Sequence, residues 1–424
     1  MAPVILQAAP TGTEFDILNL LLVLTLAWIF GAITEHIGYP AMLGELVAGI
    51  VFGPAVLGLL EPSDALAIFA ELGVFLLMVY VGMEVDIDDL FDLGPQALVI
   101  AVGAFVIPFG LGYAVGVLTI ATVEGALFLA LAMAATSLAT KSRILVDLDV
   151  LDTRIASLLL GGALVSDVSV LVVFTVVLGY IQAGTVSALG IGIVLGKVLV
   201  FFAVTLFIGR RFLPLVWERL NDLFDHYGFA DQTTAFSVAL FVALLFGELA
   251  HLAGLHVIIG GFMAGLFLRQ AELQESLYEH MHNVINDLAI GFFAPIFFVT
   301  VGFKITLTVF TQSLGLLMLM IAIAFIGKIV GSWLFSLPMD VSSKEGVVVG
   351  FGMNGRGTVE IVVASIALSA GIINEVLFSI LVFLAMFTTT MCAVTVKWGI
   401  DWLDSAGELV YTKDVRAEQA TDGD

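Results

Sequence analysis

Four ionisable side chains lie inside long apolar stretches of the sequence. Asp167 is part of GGALVSDVSVLVV, Lys328 is part of IAIAFIGKIVGSW, and Arg356 and Glu360 share GFGMNGRGTVEIVVA. At the centre of a bilayer, one such charge costs at least about 2.5–3.5 kcal/mol, and charges that are kept there mark ion or proton pathways. The sequence therefore predicts a buried site for ions or protons.

Asp167 is the candidate for the shared cation and proton site. A carboxylate is a hard oxygen ligand suited to Na+ or K+, and the same group can carry a proton. It cannot do both at once, and this mutual exclusion is the simplest chemical basis for exchange of the two ions. The alternative is a protonated carboxyl group that only forms a hydrogen bond between helices.

The other three charges are candidates for coupling or counter-charge. Lys328 either steadies the site as a counter-charge, takes part in proton coupling, or extends toward the membrane surface. Arg356 and Glu360 are four residues apart, a spacing that also allows a simple ion pair on one helix face.

Two apolar stretches have polar centres that weaken a helix. Residues 133–142 read MAATSLATKS, and residues 350–357 read GFGMNGRG. Unwound backbone at membrane depth occurs where it lines a cavity or is buried in protein, and in transporters it places helix ends at an ion site. We therefore predict two broken helices, with Thr136 and Ser137 near the ion. Alternatively, the hydroxyls of Thr136, Ser137 and Thr140 bond back to a carbonyl of their own helix.

The composition predicts an all-α integral membrane protein, because 60% of residues are hydrophobic and 12% are charged. Apolar runs of about 20 residues match the bilayer core. The apolar runs give thirteen candidate spans, at 17–35, 41–60, 66–85, 97–119, 123–146, 153–181, 187–208, 232–250, 252–270, 291–312, 313–337, 345–370 and 373–398.

The basic residues predict the orientation of these spans. With the N-terminal tail (1–16) outside, eleven basic residues face the cytoplasm and only Lys304 faces outward, as the positive-inside rule requires. The eleven are Lys141, Arg143, Arg154, Arg210, Arg211, Arg219, Arg269, Lys344, Lys397, Lys413 and Arg416. We therefore expect a protein of the cell membrane, and we expect its residues 399–424 to form an acidic tail in the cytoplasm.

The charge balance limits the partners. The net charge of −22 with few basic residues is typical of halophilic proteins, and it leaves no basic patch for nucleic acid. The single cysteine gives no thiolate metal site. We expect a transporter, not an enzyme, without a cofactor beyond the transported Na+ or K+ and H+.

Several motifs resemble the monovalent cation:proton antiporters of the Kef/Nap type, within the sodium/hydrogen exchanger superfamily. They are GYPAMLGELVAGIVFGPAVLGLL at 38–60, VGMEVDIDDL at 81–90, PIFFVTVG at 295–302 and FIGKIVG at 325–331. The resemblance covers nearly the whole membrane portion. In that family Asp167 matches the ion-binding aspartate, and Lys328 matches the lysine across the site.

The resemblance implies an inverted-repeat antiporter fold of about 13 helices with two broken, crossed helices. It implies a transmembrane domain over 17–398, with a core at 97–181 and 313–398 that carries the site. A dimerisation domain at 17–85 and 232–312 would stay fixed in a homodimer, with 187–208 as the connector. The implied activity is Na+/H+ exchange by alternating access. Alternatives are a K+/H+ antiporter, a solute symporter on the same scaffold, or a channel-like protein.

Ser166 departs from the pattern of the family. Many electrogenic members have two consecutive aspartates where this chain has Ser166–Asp167. With one carboxylate, and with Lys328 keeping its proton, one Na+ displaces one H+ and exchange is electroneutral. If Lys328 releases its proton when Na+ binds, a two-proton cycle results.

Overall fold

In a computed structural model the chain is built of helices, with no strand among the residues described. These are residues 16–84, 94–120, 122–148, 150–183, 232–253, 255–270 and 275–411, with a few positions between 196 and 211. The helices are α1 Ile17–His36, α2 Ala41–Phe52, α3 Asp64–Glu84, α4 Pro95–Thr119, α5 Val123–Ala134, α6 Leu138–Asp147, α7 Arg154–Ala183, α8 Gln232–Leu252, α9 Val257–Gln270, α10 Glu275–Leu288, α11 Ala294–Phe303, α12 Val309–Gln312, α13 Leu314–Ser336, α14 Ser343–Gly352, α15 Thr358–Ser369 and α16 Glu375–Ser405.

Seven helical segments are long and apolar enough to cross a membrane. They are Ile17–His36, Asp64–Glu84, Pro95–Thr119, Arg154–Gly179, Tyr278–Phe303, Leu314–Ser336 and Glu375–Ser405. With the shorter apolar helices and the two pairs α5/α6 and α14/α15, they account for twelve predicted spans. The predicted span at 187–208 lies outside the described residues, apart from a few positions, and so does the loop that follows it. The all-helical membrane fold is confirmed.

Three predicted spans have wrong boundaries, two of them before the last helix. Helix α2 ends at Phe52, and residues 53–60 form turns where the prediction extended the span to 60. The span predicted at 291–312 instead runs through α10, a π-helical turn at Ala289–Phe293, and α11. The prediction missed α10 because this helix is amphipathic and carries charged residues, so hydropathy alone does not reveal it.

The last helix extends into the predicted tail. Helix α16 continues to Ser405, beyond the expected end at 398, and the next residues return to the protein. Glu408 pairs with Lys344 at 2.5 Å. The backbone N–H of Arg154 donates to the Val410 carbonyl oxygen at 2.9 Å. The first residues after α16 therefore join the N-terminal ends of α7 and α14, while residues 412–424 lie outside the described part.

The helices pack in two groups. In one group, α4 packs against α5, α7 and α13, and α14 packs against α13 and α16. In the other, α3 packs against α9 and α11, and α2 packs against α1 and α11. The helices named in the first group lie mainly within 97–181 and 313–398, and those named in the second lie within 17–85 and 232–312, while α12 contacts α13 and α16. Their separate roles in transport remain a prediction.

Glycines allow the closest helix contacts in each group. A Cβ atom at Gly49 would lie 2.3 Å from the Val299 carbonyl oxygen, and one at Gly302 would lie 2.6 Å from Gly49 Cα. Likewise, a Cβ atom at Gly331 would lie 2.3 Å from the Gly103 carbonyl oxygen. Backbones this close tolerate only glycine, as in other membrane helix pairs. The glycines of GELVAG, PIFFVTVG and FIGKIVG therefore lie at helix contacts.

Candidate ion-binding site

Both predicted helix breaks are present in the structure. Helix α5 ends at Ala134 and α6 begins at Leu138, with extended residues 135–137 between them. Helix α14 ends at Gly352 and α15 begins at Thr358, so residues 353–357 form the second break. Each break leaves the N–H groups of one half-helix and the carbonyl groups of the other without partners inside their helices.

The two breaks cross and bind each other through hydrogen bonds. Ser137 N donates to the Gly355 carbonyl oxygen at 3.0 Å. The Thr136 hydroxyl donates to the carbonyl oxygens of Met353 and Gly355 at 3.0 and 2.9 Å, and the Thr140 hydroxyl donates to that of Arg356 at 3.0 Å. The alternative, that these threonines bond back to their own helix, is therefore wrong for Thr136 and Thr140. We call this contact the crossing, formed by residues 135–137 and 353–357.

The crossing is too tight for a side chain at Gly357. A Cβ atom at this position would lie 2.4 Å from Ser137 Oγ, and one at Gly355 would lie 3.2 Å from Thr140 Cγ2 on α6. These glycines therefore allow the second break to approach the first, in addition to weakening the helix.

Asp167, on α7, reaches the crossing at the first residue of α6. Its Oδ2 atom accepts a hydrogen bond from Leu138 N at 3.1 Å, and its side chain is 6% exposed. The N-terminal end of a helix carries partial positive charge and stabilises a carboxylate. The Oδ1 atom is buried and has no hydrogen-bond partner. Asp167 therefore holds one oxygen against the half-helix and leaves the other free for a cation or a proton.

Ser166 precedes Asp167 and is 1% exposed. Its hydroxyl oxygen is also buried without a hydrogen-bond partner. Buried polar groups almost always have partners, so an unpartnered hydroxyl oxygen is available to accept a hydrogen bond or to bind a cation. Neighbouring residues on α7 thus present two unsatisfied oxygen atoms.

Lys328, on α13, is fully buried at the opposite end of the first break. Its ammonium group donates to the carbonyl oxygen of Ala134, the last residue of α5. Among the described residues, no ion pair within 4 Å links Lys328 to Asp167. The structure therefore places the Lys328 side chain at the carbonyl end of α5, which is the negative end of the helix dipole.

Arg356 and Glu360 form the i,i+4 pair that their spacing allows, at 2.8 Å and almost completely buried. Arg356 also donates to the carbonyl oxygens of Ala132 and of Met133, the latter at 3.0 Å. The guanidinium group thus caps the last turn of α5 from the second break. The ion pair therefore joins the second break to the first turn of α15. The other carboxylate oxygen of Glu360, Oε2, is buried and has no hydrogen-bond partner.

Lys141 belongs to this site, although the sequence analysis placed it among the cytoplasmic residues. It is 1% exposed, and its ammonium group donates to Thr136 Oγ1, to the Ser137 carbonyl oxygen at 2.9 Å and to the Gly355 carbonyl oxygen at 3.4 Å. The sequence feature that pointed to Lys141 was its position four residues after Ser137. Because α6 begins at Leu138, this spacing puts the Lys141 side chain on the helix face next to the break.

Two further polar residues were not predicted. Asn354 donates to the Gly350 carbonyl oxygen at 2.9 Å and caps α14. Thr389, on α16, accepts from Arg356 N at 3.0 Å and donates to the Arg356 carbonyl oxygen at 3.1 Å. Three consecutive threonines in an apolar helix, at 388–390, were the available signal for Thr389.

Comparisons with known proteins agree with this architecture. The transmembrane sodium/hydrogen exchanger family matches residues 21–402. The chain is 29% identical to the Na+/H+-K+ antiporter GerN of Bacillus cereus, over 93% of this chain and 98% of GerN. It is 31% identical to the probable Na+/H+ antiporter GerT of Bacillus cereus, over 87% and 94% of the two chains. The structure of the sodium proton antiporter MjNhaP1 from Methanocaldococcus jannaschii has a similar fold, with a TM-score of 0.68, 19% identity, and coverage of 90% of this chain and 95% of that chain.

Proposed function

Because the chain belongs to the sodium/hydrogen exchanger family, we propose that it exchanges Na+ for H+ across a membrane, with Asp167 as the shared ion and proton site. The observation that carries this proposal is the buried Asp167 carboxylate, which has one oxygen atom on the N-terminus of α6 and one without a partner. This carboxyl group can lose its proton only when a bound cation or another positive charge compensates the negative charge that remains.

The cation ligands in this proposal are oxygen atoms. Asp167 Oδ1 and Ser166 Oγ are unpartnered, and the hydroxyls of Thr136 and Ser137 belong to the adjacent break. Carboxylate, hydroxyl and carbonyl oxygens are the ligands that hard monovalent cations prefer. At such a site, oxygen atoms at the ends of the half-helices can bind the cation in place of the water molecules that it loses.

Charge accounting suggests the stoichiometry. Arg356 and Glu360 neutralise each other, which leaves Lys141, Lys328 and Asp167 as the remaining charges of the crossing. If both lysines keep their protons, the site has the same net charge with Na+ on the carboxylate as with H+ on it. The Na+-loaded and the H+-loaded states then move the same charge across the membrane in opposite directions, and exchange is electroneutral.

The direct test is proton flux into proteoliposomes that contain the purified protein, followed with a pH-sensitive dye. Outward gradients of Na+ should drive proton uptake, because a proton replaces the cation at Asp167. The same proteoliposomes on a solid-supported membrane should give no sustained Na+-driven current if exchange is one for one. Proton movement that is insensitive to Na+, Li+ and K+ would exclude cation exchange.

K+/H+ exchange is the second candidate, since GerN is described as a Na+/H+-K+ antiporter. The same oxygen ligands serve either ion, and a K+ gradient in the same assay separates the two. A solute symporter would need a roomier polar cavity. The crossing is instead filled with side chains that contact each other, which favours a bare ion as substrate.

We also propose an outward N-terminus, a cytoplasmic C-terminus and a homodimer. The first residues of α7 and α14 and the end of α16 meet at one face of the bundle, where Arg154 and Lys344 lie. Excluding the buried Lys141, ten basic residues still favour this face as cytoplasmic. The native Cys392 is buried. Cysteines at Glu61 and Asp404 should therefore react with an impermeant reagent from outside and inside, respectively, and the reverse pattern would overturn the orientation.

A further inference from the structure

Lys141 is a charged group beside the crossing, and the proposed exchange gives it no role except to keep its proton. Its side chain is fully buried, and its three acceptors come from both sides of the crossing. Thr136 Oγ1 and the Ser137 carbonyl oxygen belong to the first break, and the Gly355 carbonyl oxygen belongs to the second. A lysine on α6 thus binds both broken helices at the point where they meet.

The acceptors of this ammonium group are the atoms that would bind an alkali cation. One hydroxyl and two carbonyl oxygens are hard, neutral ligands of the kind that unwound transporter helices offer to Na+. An ammonium ion carries one positive charge and orders such oxygens around itself by hydrogen bonds. Lys141 therefore fills an oxygen-lined position that could otherwise take a monovalent cation.

The surrounding charges show how this ammonium group affects the neighbouring position. Lys141 Nζ lies 2.9 Å from the Ser137 carbonyl oxygen. Asp167 Oδ2 lies 3.1 Å from the backbone nitrogen of Leu138, the next residue in the chain, so the two charged groups meet at the same peptide unit. A cation that binds to Asp167 must therefore enter against the positive charge of Lys141.

We propose that Lys141 is a tethered cation, which occupies one oxygen-lined position in the crossing and weakens binding of the transported cation at Asp167. This inference rests on the proposed function, because it concerns the affinity of the same site. Weak binding serves exchange, since a cation that is held too firmly is released slowly.

The test compares Lys141→Gln with the wild-type protein in Na+ binding by calorimetry and in Na+-driven proton flux. Glutamine keeps a hydrogen-bond donor for the crossing and removes the charge. Removal of a nearby like charge should lower the Kd and KM for Na+ by roughly tenfold or more, because two charges a few ångströms apart interact by more than 1.4 kcal/mol in a protein. The maximal rate should fall at the same time, because release becomes slower.

Two control variants make the result specific. Lys141→Met is a second neutral variant and should show the same lower KM, which covers the case that Lys141→Gln does not fold. Lys344→Gln removes a partly exposed lysine that pairs with Glu408 and should leave the Kd for Na+ unchanged.

Other outcomes would overturn the proposal. If folded Lys141 variants bind Na+ with unchanged or weaker affinity, Lys141 is not a competing cation. Failure of the proposed function would appear differently, as Na+ binding that survives Asp167→Asn in the same calorimetric assay.

Discussion

Asp167→Asn should abolish Na+-driven proton flux while leaving the protein folded. The asparagine amide has almost the same shape, and its oxygen can still accept the hydrogen bond from Leu138 N that Asp167 Oδ2 accepts at 3.1 Å. The amide carries no charge and no exchangeable proton near neutral pH. Loss of one charge interaction at about 4 Å costs about 4 kcal/mol at an effective dielectric constant of 20, or roughly a thousandfold in cation affinity.

The control for this variant is Asp404→Asn, an exposed carboxylate near the end of α16 that should retain full exchange. Flux would be measured in proteoliposomes and folding by size-exclusion chromatography in detergent. Ser166→Ala serves as a graded comparison, because it removes a buried, unpartnered neutral oxygen next to Asp167 in the chain and should raise the KM for Na+ without eliminating exchange. Retained Na+-driven flux in Asp167→Asn would show that the ion site lies elsewhere.

Arg356→Met should strongly destabilise the protein. It leaves Glu360 as a buried charge without its partner at 2.8 Å, and it removes the donor to the carbonyl oxygens of Ala132 and Met133. Breaking a buried ion pair from one side typically costs about 3–5 kcal/mol. The thermal midpoint of the purified protein in detergent should fall accordingly.

A double variant separates structure from transport in this pair. Arg356→Met combined with Glu360→Leu removes both charges and should recover part of the lost stability, because an apolar pair leaves no unpaired charge. Lys344→Met is the matched comparison, because it breaks the partly exposed pair with Glu408 and should cost less than about 1 kcal/mol. If the double variant is stable but transports no Na+, the pair takes part in coupling as well as in holding the crossing together.

Much of the site could be predicted because membrane interiors penalise polarity. Asp167, Lys328, Arg356 and Glu360 stand out in apolar runs, and each lies in or beside the crossing. The two breaks were predictable for the same reason, because glycines and hydroxyl side chains stand out in apolar runs and mark where the helical backbone is interrupted. The i,i+4 spacing also gave the Arg356–Glu360 pair, which the structure shows at 2.8 Å.

Lys141 could not be placed from the sequence. It lies near the end of the polar stretch at 133–142, and local sequence does not distinguish a surface lysine from one whose ammonium group turns inward. Its three acceptors include the Gly355 carbonyl oxygen, which is 214 residues away in the chain. Thr389 was missed for the same reason, because its partner is the backbone of Arg356, 33 residues before it.

By itself, the sequence determined that this chain crosses a membrane with many helices, that four charges in its apolar runs must be buried, and where two helices break. These features follow from the cost of placing a polar group in hydrocarbon, which each segment bears independently of its neighbours. Only the tertiary structure decided which oxygen atoms surround which charge. Helix ends gain partners only when two distant breaks meet, as Thr136 and Gly355 do at 2.9 Å, and that contact depends on how the whole bundle packs.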